Sequence, residues 1–214
     1  MTTRGGGKAA APRKRRTYHH GDLRQALVDA TLALIAREDV GAVSLREVAR
    51  RAGVTAAAPY HHFRDKNALL AAVAEEGYRA LNQRMDEAMA RTRAPELSGR
   101  VKALARCYVA FAVEHPAHYR VMFREEWGDE EKYAAVHAEG MRAFQRLLDL
   151  TAEASAASGG RLDPETLAFN VWAWVHGLAS LWNEGPLRKK SGGDSITPLL
   201  ERSLDLFVAW VARK

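Results

Sequence analysis

The chain has 214 residues, 47% hydrophobic and 27% charged, which is the balance of a folded globular protein and excludes a disordered one. No run of about 18 apolar residues occurs, so a transmembrane helix is excluded, and the basic N-terminus lacks the apolar stretch of a secretory signal. Cys107, the single cysteine, can form no internal disulfide, and a reducing cytoplasm is the expected location.

The net charge of +6 is unevenly spread. Residues 1–66 carry 13 Lys and Arg against 6 Asp and Glu, whereas residues 67–214 carry 19 against 20. The whole surplus therefore lies in the first third, as phosphate binding requires. No Trp/Phe/Leu face accompanies the basic residues, so nucleic acid is favoured over an anionic membrane.

Residues 1–17 contain Gly5-Gly6-Gly7 and Arg13-Lys14-Arg15-Arg16 without periodicity or acid, and read as a disordered basic arm, either laid on DNA or solvated. Asp22 is the expected cap of a first helix with Leu23, Leu27, Ala30 and Leu34 on its core face, ending near Gly41. Ser44 caps a second helix, with Glu47 placed to return a bond to the Ser44 N–H and Val43 and Val48 spaced as a hydrophobic staple. Leu45, Val48, Ala49 and Ala52 share one face, and Gly53 supplies the left-handed stop. Thr55 then caps a third helix two residues on. Two helices joined this tightly form a helix-turn-helix. Asp65 is the expected cap of a long fourth helix of about 25 residues, a length that suits a connector more than a packed internal element.

Arg93-Ala94-Pro95 marks entry to a second domain. Helices are predicted over about 96–114, 117–127, 130–157 and 164–183, the last begun by Asp163-Pro164-Glu165. A polar loop follows from Gly185 to Ser195, and Thr197-Pro198 opens a final helix. No strand pattern is present, so the fold class is all-α: a three-helix helix-turn-helix domain (18–66), a connecting helix (67–94) and a larger helical domain (95–214). The helices from Pro164 and Thr197 are apolar on two sides, which predicts burial on two sides. A homodimer interface through Trp174, Leu178, Leu181, Leu206 and Trp210 is the expected second partner.

Residues 18–70 resemble the DNA-binding domain of the tetracycline-repressor (TetR) family of bacterial regulators. The segments Ser44-Leu-Arg-Glu-Val-Ala, Ala52-Gly-Val-Thr and Tyr60-His-His-Phe-Arg-Asp-Lys-Asn-Ala-Leu-Leu carry the resemblance. Val171-Trp-Ala-Trp-Val-His-Gly and His115-Pro-Ala-His-Tyr-Arg-Val-Met-Phe resemble a subgroup named for its Trp-His-Gly signature. The resemblance implies a homodimer, double-stranded DNA as partner, and a small-molecule pocket in the second domain. It also implies DNA contacts from Arg46, Thr55, Tyr60, His61, His62 and Lys66. Ala56, Ala57 and Ala58 are a departure, and Ala56 is a candidate for apolar contact only, for instance with a thymine methyl. The chemistry agrees in kind, since Arg can fork onto guanine while Thr, Tyr and Lys donate to phosphate. Neighbouring helical residues lie about 100° apart, so His61 and His62 are not expected in one groove. Pro59 departs from the aliphatic residue common in the family and puts the geometry of its turn in question.

Candidate pocket residues are Cys107, Tyr108, Phe111, His115, Met122, Phe123, Phe144, Phe169, Trp172 and His176, with Asn170 a further polar candidate. His176 suits a ligand contact, a pH-sensitive group or a satisfied core histidine. The eight histidines and one cysteine do not fall into metal-ligand spacing, and no nucleophile–base pair or phosphate-cradling loop is apparent. No metal, cofactor or catalytic residue is expected, and the chain reads as a regulator rather than an enzyme. A repressor released by a small apolar molecule is the leading reading, and a DNA-binding regulator without ligand control the other.

Overall fold

The computed structural model describes residues 20–92 and 96–212, with side chains from Leu23 onward and up to Ala209. The basic arm, the Arg93–Pro95 break and the side chain of Trp210 lie outside the described residues. Every regular element among the described residues is helical.

Helix α1 runs from His20 to Arg37, so Asp22 sits inside the helix rather than before it. It also stops earlier than Gly41. A separate 3-10 turn, Val40–Ala42, follows, capped by Asp39 through a 2.6 Å bond from the Val40 N–H. Helix α2 (Leu45–Ala52) begins and ends where its caps predict. Ser44 Oγ accepts the Glu47 N–H at 3.2 Å, and Gly53 takes the left-handed conformation at φ 70°. The capping box is only half formed. The Glu47 carboxylate turns outward to Arg50 (2.6 and 2.8 Å) and Arg51 (3.1 Å), which hold its pKa at about 2. Two charged guanidinium donors hold the carboxylate more strongly than one neutral backbone N–H does.

No α-helix follows Thr55. The segment is a chain of tight turns with a 3-10 helix at Ala58–His61, in which Tyr60 N–H bonds Ala57 and His62 N–H bonds Pro59. Pro59 is the cause. In an α-helix capped by Thr55 it would be the first residue whose N–H reaches back four residues, so it removes the initiating hydrogen bond and its ring crowds the Thr55 carbonyl. It also disfavours the helical conformation at Ala58.

Helix α3 (Lys66–Arg91) is capped by Asp65, whose Oδ1 accepts the Ala68 N–H at 2.7 Å. It is no exposed strut. Leu69, Leu70, Val73 and Ala74 sit in an N-terminal core, while Leu81 and Met85 sit in a C-terminal one. Around it pack α4 (Leu97–Glu114), α5 (Pro116–Met122) and α6 (Ala134–Ala157). Gly77 lets α5 come close: a Cβ there would meet Met122 Sδ at 2.8 Å and His118 Cβ at 3.1 Å. Asn82, fully buried, donates to the Glu139 carbonyl (2.9 Å) and carboxylate (2.8 Å) and accepts from Arg146 (2.7 Å), which locks α3 to α6.

Helix α5 ends at Met122 rather than near 127, and a 3-10 turn at Glu125–Gly128 follows. Helix α7 (Pro164–Asn183) starts on Asp163, whose Oδ2 accepts the Thr166 N–H at 2.7 Å. The expected loop after it contains a short helix, α8 (Pro186–Ser191), bounded by Gly185 and Gly192, both at positive φ. Pro at the first helical position and Gly just after the last is a start–stop signal in its own right. Helix α9 (Thr197–Ala212) is tied to α4 by Lys102–Asp205 and by a two-toothed Arg106–Glu201 pair, all at 2.6 Å.

Candidate functional site

Two regions concentrate the candidate residues. The first is the surface formed by the start of α2, the turns from Thr55 and the start of α3. Arg46, Thr55, Ala56, Tyr60 and His61 are exposed there, with Tyr60 at 55%. His62 is half-buried, its ring 6.4 Å from that of Phe63, so the histidine pair divides between surface and packing. Lys66 Nζ lies 3.3 Å from the Gly41 carbonyl, which holds the α3 terminus beside the turn preceding α2. Pro59 and Phe63 anchor the segment in the core, and Arg24 covers the Phe63 ring at 5.4 Å. A short, proline-stiffened loop thus presents polar groups from a rigid base.

The second region is a cavity of about 1010 Å³ enclosed by α3–α7. Its wall is mostly apolar and aromatic, the composition of small-molecule sites. Seven predicted residues line it: Tyr108, Met122, Phe123, Phe144, Phe169, Trp172 and His176. Phe144 lies 5.2 Å from Phe169 and 5.8 Å from Trp172, and Phe123 meets His176 edge-on at 4.6 Å. Met141 and Phe169, exposed by 58% and 47%, stand where the cavity opens between α6 and α7.

Cys107, Phe111 and His115 do not line this cavity. Helical phase and height along α4 explain their position. Cys107 lies about 100° around α4 from Tyr108, whereas Phe111 and His115 share the Leu104 and Tyr108 side but stand one and two turns further along, past the last cavity-lining residue of α4, Tyr108. Phe111 is core, with Arg84 over its ring at 5.8 Å and the His115 ring at 4.9 Å. Burial raises the Cys107 pKa and lowers that of His115. Asn170 is exposed and donates to the Thr166 carbonyl at 2.8 Å.

At the polar end of the cavity, Tyr108 and His176 were candidates from the sequence, but their meeting with Tyr119 and Ser180 was not legible there. His176 Nδ1 is 2.8 Å from both the Tyr108 and Tyr119 hydroxyls, and the Tyr119 hydroxyl also lies 3.3 Å from Ser180 Oγ and from the His176 carbonyl. Burial lowers the His176 pKa, against a weaker opposite pull from Glu184, and raises those of both tyrosines. The available signal was His176 and Ser180 one turn apart on α7. Tyr108 and Tyr119 come from separate helices and reach it only in the folded chain.

Residues 27–73 match the model for bacterial regulatory proteins of the tetR family, and residues 101–207 match that for the tetracyclin repressor-like C-terminal domain. The chain belongs to the TetR family of transcriptional regulators. A solved protein of unknown function from Rhodococcus sp. RHA1 is 30% identical, with a TM-score of 0.74 over 93% of this chain and 100% of that one. A tetR-family regulatory protein from Rhodococcus RHA1 is 18% identical, with a TM-score of 0.70 over 89% and 97%. The regulator FadR from Bacillus subtilis, solved with stearoyl-CoA, is 15% identical and shares the fold, with a TM-score of 0.67 over 85% and 96%.

Within this TetR-family regulator, α5 stands between the two regions. Met122 faces the cavity, Ala117 and Val121 join the N-terminal core, and Arg120 donates to the Ile35 carbonyl at the end of α1 at 3.2 Å. Trp127, Tyr133 and Val136 also belong to that N-terminal core, and Trp127 Nε1 donates to the Val121 carbonyl at 2.7 Å. No helix among the described residues is long and apolar enough to cross a membrane.

Proposed function

We propose that this regulator is a repressor that binds an inverted-repeat duplex as a homodimer and leaves it when a small apolar molecule fills the cavity. The observation that carries this reading is the two-sided placement of α5, in contact with both the cavity and the core beneath the exposed turns. A ligand that favours one packing of Met122 and Phe123 shifts α5, and with it the base of the helix-turn-helix. It acts only through unequal affinity for the two arrangements.

Two further features support the reading. Leu181 and Leu206 leave large apolar side chains in solvent on α7 and α9, beside a Trp174–Phe207 stack at 5.4 Å, as an unpaired subunit interface would. The stearoyl-CoA complex of the Bacillus subtilis FadR is consistent with a ligand-accepting domain in this fold. Arg46, Thr55, Ala56, Tyr60, His61, His62 and Lys66 are the proposed DNA contacts, the polar ones mostly to phosphate. Selection of duplexes from a random pool, then retention assays over a salt series, tests the DNA half. Binding that weakens steeply with salt and prefers a two-fold sequence is expected. A protein that holds no duplex better than random DNA overturns it.

A further inference from the structure

We infer that the cavity reads one neutral hydrogen-bond acceptor on an otherwise apolar ligand, such as a ketone, ester or amide carbonyl, through Nε2 of His176. The inference rests on the proposed reading of the cavity as a ligand site and specifies its chemistry.

The tyrosines set the tautomer. Nδ1 has two phenolic hydroxyls at 2.8 Å, and phenols are better donors than acceptors. The Tyr108 oxygen also has the Trp172 indole, a donor only, and the Tyr119 hydroxyl as partners. Its proton goes either to Nδ1 or to the Tyr119 oxygen, and in the second case the Tyr119 proton is the one directed to Nδ1. Tyr119 has Ser180 Oγ and the His176 carbonyl as other acceptors at 3.3 Å. Nδ1 therefore accepts, and the proton of the neutral ring sits on Nε2. No described residue hydrogen-bonds that nitrogen, and the ring lines the cavity between Phe123 and Trp172. A donor in an apolar wall, its orientation fixed by a second layer of hydroxyls, discriminates strongly because leaving it unmet costs a full desolvation.

The charges argue against an anionic ligand. The charged lining residues are Glu125, Glu165 and Arg124, and the Arg124 guanidinium is engaged by Glu126, although its buried Nε has no partner. Carboxylates thus outnumber the one, already paired, cation. The imidazole itself stays neutral, because burial in this aromatic setting disfavours its charged form.

Decan-2-one, decane and decanoate, titrated calorimetrically into the full-length protein, separate the cases. The ketone is expected to bind about tenfold more tightly than the alkane, and more tightly than the carboxylate. His176→Phe should bring the ketone-to-alkane ratio near one. His176→Gln, which keeps an N–H, should restore part of the preference, and Tyr108→Phe should lower it without abolishing it. If the carboxylate binds tightest, or the ratio survives His176→Phe, the inference is wrong. If alkane and ketone alike fail to bind, the ligand-cavity reading falls, and this inference with it. Should His176→Phe not fold, the Gln and Tyr108→Phe variants decide.

Discussion

The DNA-reading end and the cavity end of this molecule are built by opposite means. Around α2 and the start of α3, the fold follows from neighbours in sequence: Ser44 and Asp65 each accept the N–H three residues on, and Gly53 closes α2 in the left-handed conformation. At the cavity, nothing works locally. Five helices each supply one face, and the polar cluster needs Tyr108 from α4, Tyr119 from α5 and His176 with Ser180 from α7. A reading head made of local signals can be rigid and autonomous. A cavity made of distant parts is the place where a ligand can alter the packing.

Substitutions should therefore separate into classes. Phe111→Ala, in solid core, should cost about 3–5 kcal/mol, whereas Phe169→Ala, half-exposed at the cavity mouth, should cost far less and be felt in ligand affinity. Urea denaturation of the two, with matched slopes, measures the contrast. Equal losses would mean that the cavity wall is as tightly packed as the core.

Leu206→Glu should move the protein to monomer and lower duplex affinity at least tenfold, because the paired half-sites lose their two-fold partner. Its monomer should still fold, since 73% of this side chain is in solvent within one subunit. Sedimentation velocity checks the assembly, retention assays the affinity and circular dichroism the fold, and a parent protein that already sediments as a monomer refutes the interface.

At the reading head, Ser44→Ala should cost about 1 kcal/mol through its lost cap. Tyr60→Ala and Arg46→Ala should cost almost no stability and should weaken DNA binding. Thermal melts beside retention assays distinguish fold from contact, and a Tyr60→Ala protein with unchanged duplex affinity would remove that residue from the interface.

The smallest expected effect is on pH. His176 and His115 have lowered pKa values in the folded protein, so the unfolded chain binds more protons under acid conditions. Stability contributed by these neutral rings is complete above the ordinary imidazole range and declines as pH falls through it. Denaturation midpoints over that range should drop toward acid, with a shallower slope in His176→Phe. An identical slope would place the titration elsewhere.

Legibility in the sequence follows the same division. Caps, stops and helix order were readable because each signal spans a few residues, and Asp163, Ser44, Gly53 and Asp65 act as expected. The exceptions were also local. Pro59 turned an expected α-helix into 3-10 turns, and the Pro186–Gly192 punctuation marked a short helix inside what read as a loop. For the cavity, residue type pointed to the correct helices but not to their rotation. On α4, Tyr108 lines the cavity, Cys107 is turned about 100° away from it, and Phe111 packs in the same core one turn past the cavity's end. The role of α5 was equally hidden, since only the fold shows Val121 in one core and Met122 in the other.

The central claim is that cavity and DNA surface are coupled through α5. It is tested most directly by measuring the Kd for a selected duplex at fixed salt, without ligand and with the cavity saturated by decan-2-one as judged by titration. Coupling predicts a Kd raised by at least fivefold, with the ketone's own affinity lowered by the same factor when DNA is bound. A duplex Kd that does not change while the cavity is full would contradict it.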